Sequence, residues 1–404
     1  MVIDNEYKIA EIINYDNFYE ETTDYGFNDF MDANRIGDAY YKAQKSNNWK
    51  KMTQEFRVNY LKSVRNIQLS LITGTYEQEP FYEFNINERG KIRHIRAQVI
   101  KDRVVQRDIC DNVIEPLIIK LLIYDNGASV KNKGITFSRE RVNQHLVDYV
   151  KHHGVNGWVL QIDFKKFFDS IPHKELIEKL YDVIDDEESM NIIIKLISQF
   201  SNDEFDQRSL GIGSQISQLC GIFFPTKIDN YCKIVCALQY YGRYMDDIYI
   251  IHENKEVLEN VLRNIIQIAN ELKLTIHETK THITPLSKGF TFLKIKYNIS
   301  KTGKIIKRVV PKTFTRERRK LKKYRDKLDK HAMLYEDIEN SFKSWYCNYI
   351  VFDSRKSVHE ILRLYIYLFK DEIRTQSKDD TLIKLPYSTS INKFSKNKSE
   401  KRIA

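Results

Sequence analysis

Regular spacing of hydrophobic residues predicts a chain of alternating helices and strands. Residues 51–75 place apolar side chains three or four positions apart and end at Gly74, as an amphipathic helix does. The same spacing predicts further helices, at about 103–123, 138–152, 172–184, 190–200 and 255–272. From about residue 313 onward the pattern is again helical and strongly basic.

Apolar runs rich in β-branched and aromatic residues predict the strands between these helices. Residues 81–100 read as two strands joined by a turn at Glu88, Arg89 and Gly90. GWVLQIDFKKFF (157–168) begins as a continuous apolar strand, and RYMDDIYII (243–251) lies within a predicted hairpin. KLTIHETKTHI (273–283) and FTFLKIKY (290–297) predict further strands. The strand–helix–strand order between 157 and 297 indicates one α+β core.

Composition excludes several classes of protein. The 404 residues are 42% hydrophobic, enough to fold most of the chain, and contain no apolar stretch long enough to cross a membrane. The N-terminus has no basic region followed by an apolar run, so we expect a cytoplasmic protein. The five cysteines complete no zinc pattern and are expected to be buried, reduced thiols.

The charge of the chain is unevenly distributed. Residues 1–34 carry nine acids and one lysine, whereas residues 304–330 carry thirteen Lys and Arg against three acids. A concentrated basic segment is typical of a protein that binds a polyanion, usually nucleic acid. A solvated helix face would show the same composition, so charge alone leaves both interpretations open.

Three aspartates give the strongest chemical signal. Asp246 and Asp247 are adjacent at the tip of the predicted hairpin, and Asp163 follows the apolar strand at 157–162. Burying such carboxylates is costly unless a cation neutralises them. If the two strands end at the same edge of one sheet, the three side chains provide the hard oxygen ligands that Mg²⁺ requires. Two such ions can activate a hydroxyl nucleophile and stabilise a leaving pyrophosphate.

These segments occur in the order of the palm motifs of reverse transcriptases, which the chain resembles over roughly 85–325. The matching segments are LQIDFKKFFDSI, LGIGSQISQ, YMDD, TIHETKTHI and FTFLKIKY. RGKIRHIRAQVIKDRVVQR resembles the fingers segment of bacterial and group II intron-like enzymes. The resemblance implies an RNA-directed DNA polymerase that binds dNTPs, an RNA template and a primer/cDNA duplex, with two Mg²⁺ ions or Mn²⁺ in their place.

The resemblance also implies a fold class and domain boundaries. The fold would be an α+β right-hand polymerase with fingers, a palm whose antiparallel sheet carries the YMDD hairpin, and a helical thumb. The implied divisions are an acidic extension (1–50), fingers (51–155), palm with the catalytic centre (156–300), basic helical thumb (301–375) and a polar, disordered tail (376–404).

Roles at the catalytic centre follow from the matched motifs. Asp163 and Asp246 would be the chief ligands of both metals and Asp247 the third carboxylate, whereas Asp169 fits a structural acid near a helix start. Lys280 matches a palm lysine placed near the leaving pyrophosphate; a solvated lysine at a strand end is the alternative.

Further matched residues would bind the nucleotide and the primer–template. Phe168 matches the aromatic gate that excludes a ribose 2′-hydroxyl, although core packing would also explain it. Tyr244 and Met245 would lie near the primer terminus. The basic residues of the predicted fingers strands would bind the triphosphate: Lys91, Arg93 and Arg96. The remaining substrate-binding candidates come from the motif GIGSQISQ: Gly213, Ser217 and Gln218. For Lys91 and Arg96, surface charge on an edge hairpin is the alternative.

The subgroup of reverse transcriptase stays open. Residues 212–218 (IGSQISQ) fit a pattern of diversity-generating retroelement enzymes, but Gly211 stands where many relatives have proline. A stand-alone prokaryotic or prophage retroelement enzyme, with a cognate structured noncoding RNA as a further partner, is one expectation. The alternatives are template-independent or protein-primed synthesis in antiviral defence, and a non-catalytic, maturase-like RNA-binding protein.

Overall fold

The computed structural model describes residues 31–45, 47–88, 90–201 and 207–376. Most of the predicted acidic extension, residues 1–30, and nearly all of the predicted polar tail lie outside these ranges. The chain forms two compact units. The first contains residues up to 292 together with 299–305, and the second contains 293–298 together with residues from 306 onward.

The first unit begins with three helices, of which the second and third divide the one long helix that the sequence predicted over residues 51–75. Their bounds are α1 Ala33–Ala43, α2 Lys51–Val58 and α3 Tyr60–Ile72. The Asp32 side chain caps α1 by accepting hydrogen bonds from the amides of Asn34 and Arg35. Asn59 separates α2 from α3 because its backbone (φ −104°, ψ 29°) leaves the helical region.

A two-stranded antiparallel hairpin follows, as predicted. Strand β1 spans Tyr82–Glu88 and β2 spans Lys91–Ala97, with Ile86 opposite Arg93 and Glu83 opposite Arg96. Because successive side chains of a strand alternate between faces, Arg93 and Arg96 lie on opposite faces of this hairpin. Three helices and a π-helical turn lead from the hairpin to the central sheet: α4 Ile100–Ile109, the turn Cys110–Ile114, α5 Glu115–Ile119 and α6 Ile135–His153.

The central sheet has four antiparallel strands in the spatial order β4–β5–β3–β6. Their bounds are β3 Trp158–Ile162, β4 Tyr241–Tyr244, β5 Asp247–His252 and β6 His282–Pro285. The two middle strands bury Val159, Leu160, Ile248 and Ile250 almost completely. Their continuous apolar runs therefore reflect burial on both faces of the sheet.

Helices connect and cover these strands. They are α7 Phe167–Ser170, α8 His173–Tyr181, α9 Glu187–Ser198, α10 Gln215–Phe223, α11 Thr226–Asn230, the π-helical turn Tyr231–Val235 and α12 Lys255–Glu271. A 3₁₀ turn at Leu286–Lys288 and the short strand β7 (Phe290–Phe292) complete this part of the chain. The segment KLTIHETKTHI therefore contributes only β6 at its end, and not the pair of strands that the sequence predicted.

The second unit is mainly helical. Strand β8 (Ile295–Ile299) pairs with β9 (Ile305–Val309), and four helices follow: α13 Pro311–Asp329, α14 Tyr335–Tyr349, α15 Arg355–Leu368 and α16 Lys370–Gln376. The segment FTFLKIKY contains the two short strands β7 and β8, because Leu293 (φ 46°) and Lys294 (φ 69°) adopt left-handed backbone conformations between them. Stacked aromatic rings, such as Phe342 on Tyr365 with centroids 3.9 Å apart, fill the interior of this unit.

Two predictions from composition can be compared with the structure. None of the five cysteines is in a disulfide, but only Cys110, Cys220 and Cys232 are buried; Cys236 is partly exposed and Cys347 is exposed, so the expectation of five buried thiols is wrong. No helix among the described residues combines the length and apolar character needed to span a bilayer.

A cluster of polar and charged side chains around Asp125 holds the loop between α5 and α6. The buried Asp125 carboxylate accepts from Arg141 Nε (2.6 Å), Lys233 Nζ (2.9 Å) and His145 Nε2 (3.5 Å). Tyr249 on β5 hydrogen-bonds His145 Nδ1 at 3.0 Å. Burial alone would raise the pKa of Asp125, but the hydrogen bonds from His145 and Arg141 outweigh it and hold the pKa well below its usual range.

We expect Asp125→Asn to lower the free energy of unfolding at pH 7 by about 2–3 kcal/mol, because Arg141 and Lys233 lose the carboxylate that neutralises them. The folded pKa lies below the unfolded value of about 3.9, so the contribution of Asp125 is complete above that pH and disappears as the pH falls through the folded pKa. Urea unfolding from pH 7 to pH 3 measures this difference.

The exposed pair Lys255–Glu259 (2.6 Å) provides the matched acid-to-amide control for this measurement. Glu259→Gln should leave the unfolding midpoint nearly unchanged, since exposed ion pairs contribute little. A difference between native protein and Asp125→Asn that stays constant down to pH 3 would contradict the role assigned to the carboxylate charge.

Candidate active site

A two-residue turn presents the paired aspartates. Strand β4 ends at Tyr244, which pairs with Asp247 at the start of β5, so Met245 and Asp246 form the loop. Met245 has φ +59°, as the first loop residue of a type II′ hairpin does. Glycine usually occupies that position, so the type of turn could not be predicted from Met245. The turn places Asp246 at its tip, half-buried, and Asp247 at the first position of β5.

The register of β3 on β5 brings Asp163 to the same edge of the sheet. Ile162, the last residue of β3, pairs with Ile248, so Asp163 follows β3 directly opposite Asp247. Side chains of directly opposed residues share one face, with Cβ atoms about 4.5–5.5 Å apart. Three carboxylates from two neighbouring strands and their turn therefore lie close together.

The three acids repel one another in a partly desolvated setting. Burial raises the pKa of Asp246, and the charge of Asp163 raises it further. Burial and the charges of Asp246 and Asp163 together raise the pKa of Asp247 to about 7. This accumulation of negative charge favours any cation that reaches the site.

Lys280 already supplies one positive charge. Its Nζ lies 2.7 Å from Asp163 Oδ1. The segment that carries it is held against Asp163, because His277 N–H donates to the Asp163 carbonyl (2.8 Å) and Asp163 N–H donates to Thr281 Oγ1 (3.4 Å). The matched motif predicted Lys280 near the leaving pyrophosphate; its contact with Asp163 and the hydrogen bond of Thr281 were not predicted, because they depend on this docking.

The donor set fits a hard divalent cation. Carboxylate oxygens are the ligands that Mg²⁺ and Mn²⁺ prefer, and the raised pKa values of Asp246 and Asp247 record negative charge that such an ion would relieve. In the part of the chain that the structure describes, no three Asp, Glu, His or Cys side chains close around a single point. Asp163, Asp246 and Asp247 are neighbours in the structure, but their carboxylate oxygens do not surround one common point. Lys280 pairs with Asp163.

Phe168 and Met245 meet above a glycine of α10. A Cβ atom on Gly221 would lie 3.2 Å from both Met245 Sδ and Phe168 Cε1, so this helix has room for the two side chains only because it carries none there. Phe167 packs against the Phe168 ring edge to face, with centroids 5.5 Å apart. Sequence reasoning identified Phe168 and Met245 separately; Gly221, which allows both to approach, was missed.

Residues of the motif GIGSQISQ lie at the start of α10. Gly213 is exposed and has φ +103°, a conformation that favours glycine. Ser217 is buried, and its hydroxyl bonds the Ser214 hydroxyl and the Leu210 carbonyl. Gln218 is exposed and accepts from Ser129 Oγ at 3.3 Å. The predicted contacts of these residues with substrate stay predictions.

Only one of the two basic residues described on β2 is coupled to the acids. Arg93 lowers the pKa of Asp246 through its charge, which places it within electrostatic reach of the carboxylates. Arg96, on the other face of the hairpin, contacts the Glu83 carboxylate (3.1 Å) and the Phe200 carbonyl. Lys91 is the first residue of β2, and its side chain is outside the described part of the structure.

A known family matches the region that contains all of these residues. The family described as "Reverse transcriptase (RNA-dependent DNA polymerase)" matches residues 85–297, just over half of the chain. The structure of telomerase from Candida albicans, in complex with a fragment of telomeric RNA, has a similar fold, with a TM-score of 0.51 at 12% identity over 76% of this chain and 56% of that one.

Curated relatives match at low identity. The putative COX1/OXI3 intron 1 protein of Saccharomyces cerevisiae is 26% identical over 58% of this chain, and the chain spans only 26% of that protein's length. Protein YkfC of Escherichia coli is 24% identical over 55% of this chain and 68% of its own length.

We expect Mg²⁺ to raise the thermal unfolding midpoint of the native protein. An ion that binds only the folded state stabilises it by about 1.4 kcal/mol at tenfold excess over its Kd. Asp247→Asn removes one source of repulsion, so without metal this variant should be at least as stable as the native protein and should gain much less from Mg²⁺. Thermal unfolding in EDTA and across a Mg²⁺ titration measures both effects.

Asp169→Asn is the matched control, since Asp169 is exposed on α7 outside the carboxylate group. It should keep the full response to Mg²⁺. An equal response of Asp247→Asn and the native protein would show that the ion stabilises the fold elsewhere.

Proposed function

The chain belongs to the reverse transcriptase family, and from this premise we propose that it adds dNTPs to a primer 3′-hydroxyl on an RNA template. The observation that carries the proposal is the register of the central sheet, which sets Asp163 opposite Asp247 with Asp246 in the adjoining turn. Three adjacent carboxylates at the exposed edge of an otherwise apolar sheet have no structural benefit, because they repel one another.

The side chains of the site would have different roles in phosphoryl transfer. Asp163, Asp246 and Asp247 would hold Mg²⁺, which when bound lowers the pKa of the attacking hydroxyl and neutralises charge on the leaving group. Lys280 carries a proton and a positive charge beside Asp163, where both can serve the departing pyrophosphate. Arg93 adds positive charge from β2 toward the triphosphate.

Phe168 and Met245 would shape the pocket for the sugar. Both side chains are half-buried and rest on α10 at Gly221, which fixes their positions. A fixed aromatic ring can exclude a 2′-hydroxyl by contact, so we assign the discrimination between deoxyribose and ribose to Phe168. Tyr244 and Met245 would contact the primer terminus, while Gly213, Ser217 and Gln218 would border the template base or the incoming nucleotide.

We further propose the division into fingers at 51–155, palm at 156–300 and thumb at 301–375. The exposed β1–β2 hairpin, with Arg93 coupled to Asp246, supports the first assignment. The central sheet with its carboxylates supports the second. The basic helical unit after β9 supports the third.

The basic charge of α13 forms a stripe suited to a nucleic-acid backbone. Five exposed cations recur at intervals of three or four residues and so share one face of the helix: Lys312, Arg316, Arg319, Lys323 and Lys327. No ion pair involves them within the described residues, whereas Arg318 on another face pairs with Glu360 at 3.2 Å. Phosphates fit such a stripe and would supply affinity without sequence specificity.

The biological role that we propose is that of a retroelement enzyme, since the yeast relative is by name an intron protein. Template-independent synthesis for defence would use the same carboxylates. Sequencing the product formed without added template separates the two: a product complementary to a co-purified RNA supports the retroelement role, and an untemplated product supports the alternative.

Asp246→Asn should reduce dNTP incorporation on a primed RNA by about a thousandfold or more, because the turn loses its ionised ligand. Primer extension with Mg²⁺ measures the rate. Asp169→Asn, an equal change on α7, should stay within about twofold of the native rate. Undiminished incorporation by Asp246→Asn would refute the assignment of the carboxylates.

Replacing two cations of the stripe, with Arg319→Gln and Lys323→Gln together, should weaken primer–template binding. The slope of log K against log salt should fall in magnitude by about two, one unit for each lost phosphate contact. Fluorescence anisotropy between 50 and 300 mM KCl measures this slope.

Arg318→Gln is the control on the same helix and should leave the salt slope nearly unchanged, because its partner is Glu360. If Arg318→Gln changes the slope as much as a stripe substitution does, helix charge in general, rather than the stripe, attracts the nucleic acid.

A further inference from the structure

The arginine that precedes the YMDD motif (244–247) is buried. The Arg243 side chain on β4 has 0% exposed surface and pairs with the Asp229 side chain on α11, which is also 0% exposed. Arg243 Nε donates to Asp229 Oδ1 at 2.8 Å and Nη2 donates to Oδ2 at 2.5 Å. The Tyr241 hydroxyl, two residues earlier on the same side of the strand, also bonds Asp229. This arrangement neutralises the guanidinium inside an apolar core.

The rest of the guanidinium bonds backbone carbonyls next to the site. Nη1 donates to the Met245 carbonyl at 3.1 Å, and Nη2 donates to the Ile222 carbonyl at 2.8 Å. Met245 is the residue whose φ of +59° makes the turn, and Ile222 follows Gly221 on α10. One side chain therefore ties the carboxylate turn to the helix on which Phe168 and Met245 rest.

The backbone of Arg243 is held on its other side. Its N–H donates to the Asp125 carbonyl (3.1 Å) and its carbonyl accepts from the Gly127 amide (3.2 Å). These bonds fix β4 at the one residue from which the guanidinium extends. The left-handed turn at Met245, which is unfavourable for a residue other than glycine, is thereby kept in a single conformation.

We propose that Arg243, oriented by Asp229, is a positioning residue that sets the geometry of the Asp246 and Asp247 carboxylates for divalent-cation binding. The expected effect on kcat rests on the proposed polymerase activity. The expected effect on metal affinity does not, because metal binding can be measured without substrate.

Lysine is the informative replacement. An ammonium keeps the charge opposite Asp229 but cannot present the planar set of donors that reaches the carboxylate and both carbonyls together. Arg243→Lys should therefore release the Met245 carbonyl while the core stays electrically neutral. Losses of about tenfold or more follow when groups that orient metal ligands are removed.

The experiment measures Mn²⁺ binding by electron paramagnetic resonance and, in parallel, dNTP incorporation. Arg243→Lys should raise the Mn²⁺ dissociation constant about tenfold and lower kcat about tenfold, with the KM for dNTP within about twofold of native. Primer–template affinity in EDTA should be nearly unchanged, because the basic stripe of α13, and not the turn, is assigned most of that affinity.

Two variants keep the test specific. Arg325→Lys makes the same change in an ion pair of the second unit, with Glu372 (2.6 Å), and should alter neither Mn²⁺ affinity nor kcat. Asp229→Glu keeps both charges but displaces the carboxylate by one methylene, and should reproduce the effects of Arg243→Lys. If Arg243→Lys does not fold, Asp229→Glu carries the test.

The outcomes separate the two proposals. Native Mn²⁺ affinity in a folded Arg243→Lys or Asp229→Glu protein would overturn the positioning role, whatever the polymerase assay shows. Parallel losses of Mn²⁺ affinity and of EDTA primer–template affinity would also overturn it, because they indicate general damage. Weakened Mn²⁺ binding beside a native protein that incorporates no nucleotide would support the positioning role and refute the proposed activity.

Discussion

The repulsion among three carboxylates is the constraint around which this structure is organised. Antiparallel pairing of β3 with β5 is favourable for the apolar residues of both strands, but it also sets Asp163 opposite Asp247, beside Asp246. The sheet tolerates this because the acids lie at its edge, where Lys280 and solvent reach them. A site of this kind is stable only on a scaffold whose other interactions are strong, and the fully buried interior of the sheet meets that need.

Much of this arrangement could be predicted from the sequence, because its signals are local. The continuous apolar runs of β3 and β5, each bounded by aspartate, indicated two buried strands ending in acids, and the structure has both. The hairpin at Glu88–Gly90 was also local, set by a glycine turn between two short strands. Helix periodicity located α9 and α12 in the same way.

Other features depend on contacts between distant parts of the chain. Nothing in the sequence pairs Arg243 with Asp229, fourteen residues earlier, because the bend between them depends on a π-helical turn. Arg93 and Arg96 were both predicted to bind substrate, yet strand alternation places Arg96 on the other face of the hairpin, against Glu83. The position of the break between β7 and β8 could not be predicted, since neither glycine nor proline stands at Leu293 or Lys294.

The turn between Tyr244 and Asp247 has a consequence for how such a protein can change. With only two loop residues, the pairing of Tyr244 with Asp247 leaves no slack for an added or deleted residue. An insertion there would shift β5 by one position against β3, moving Asp247 to the opposite face and a core isoleucine to the site. A substitution in the hairpin therefore keeps this register, whereas an insertion or a deletion changes it.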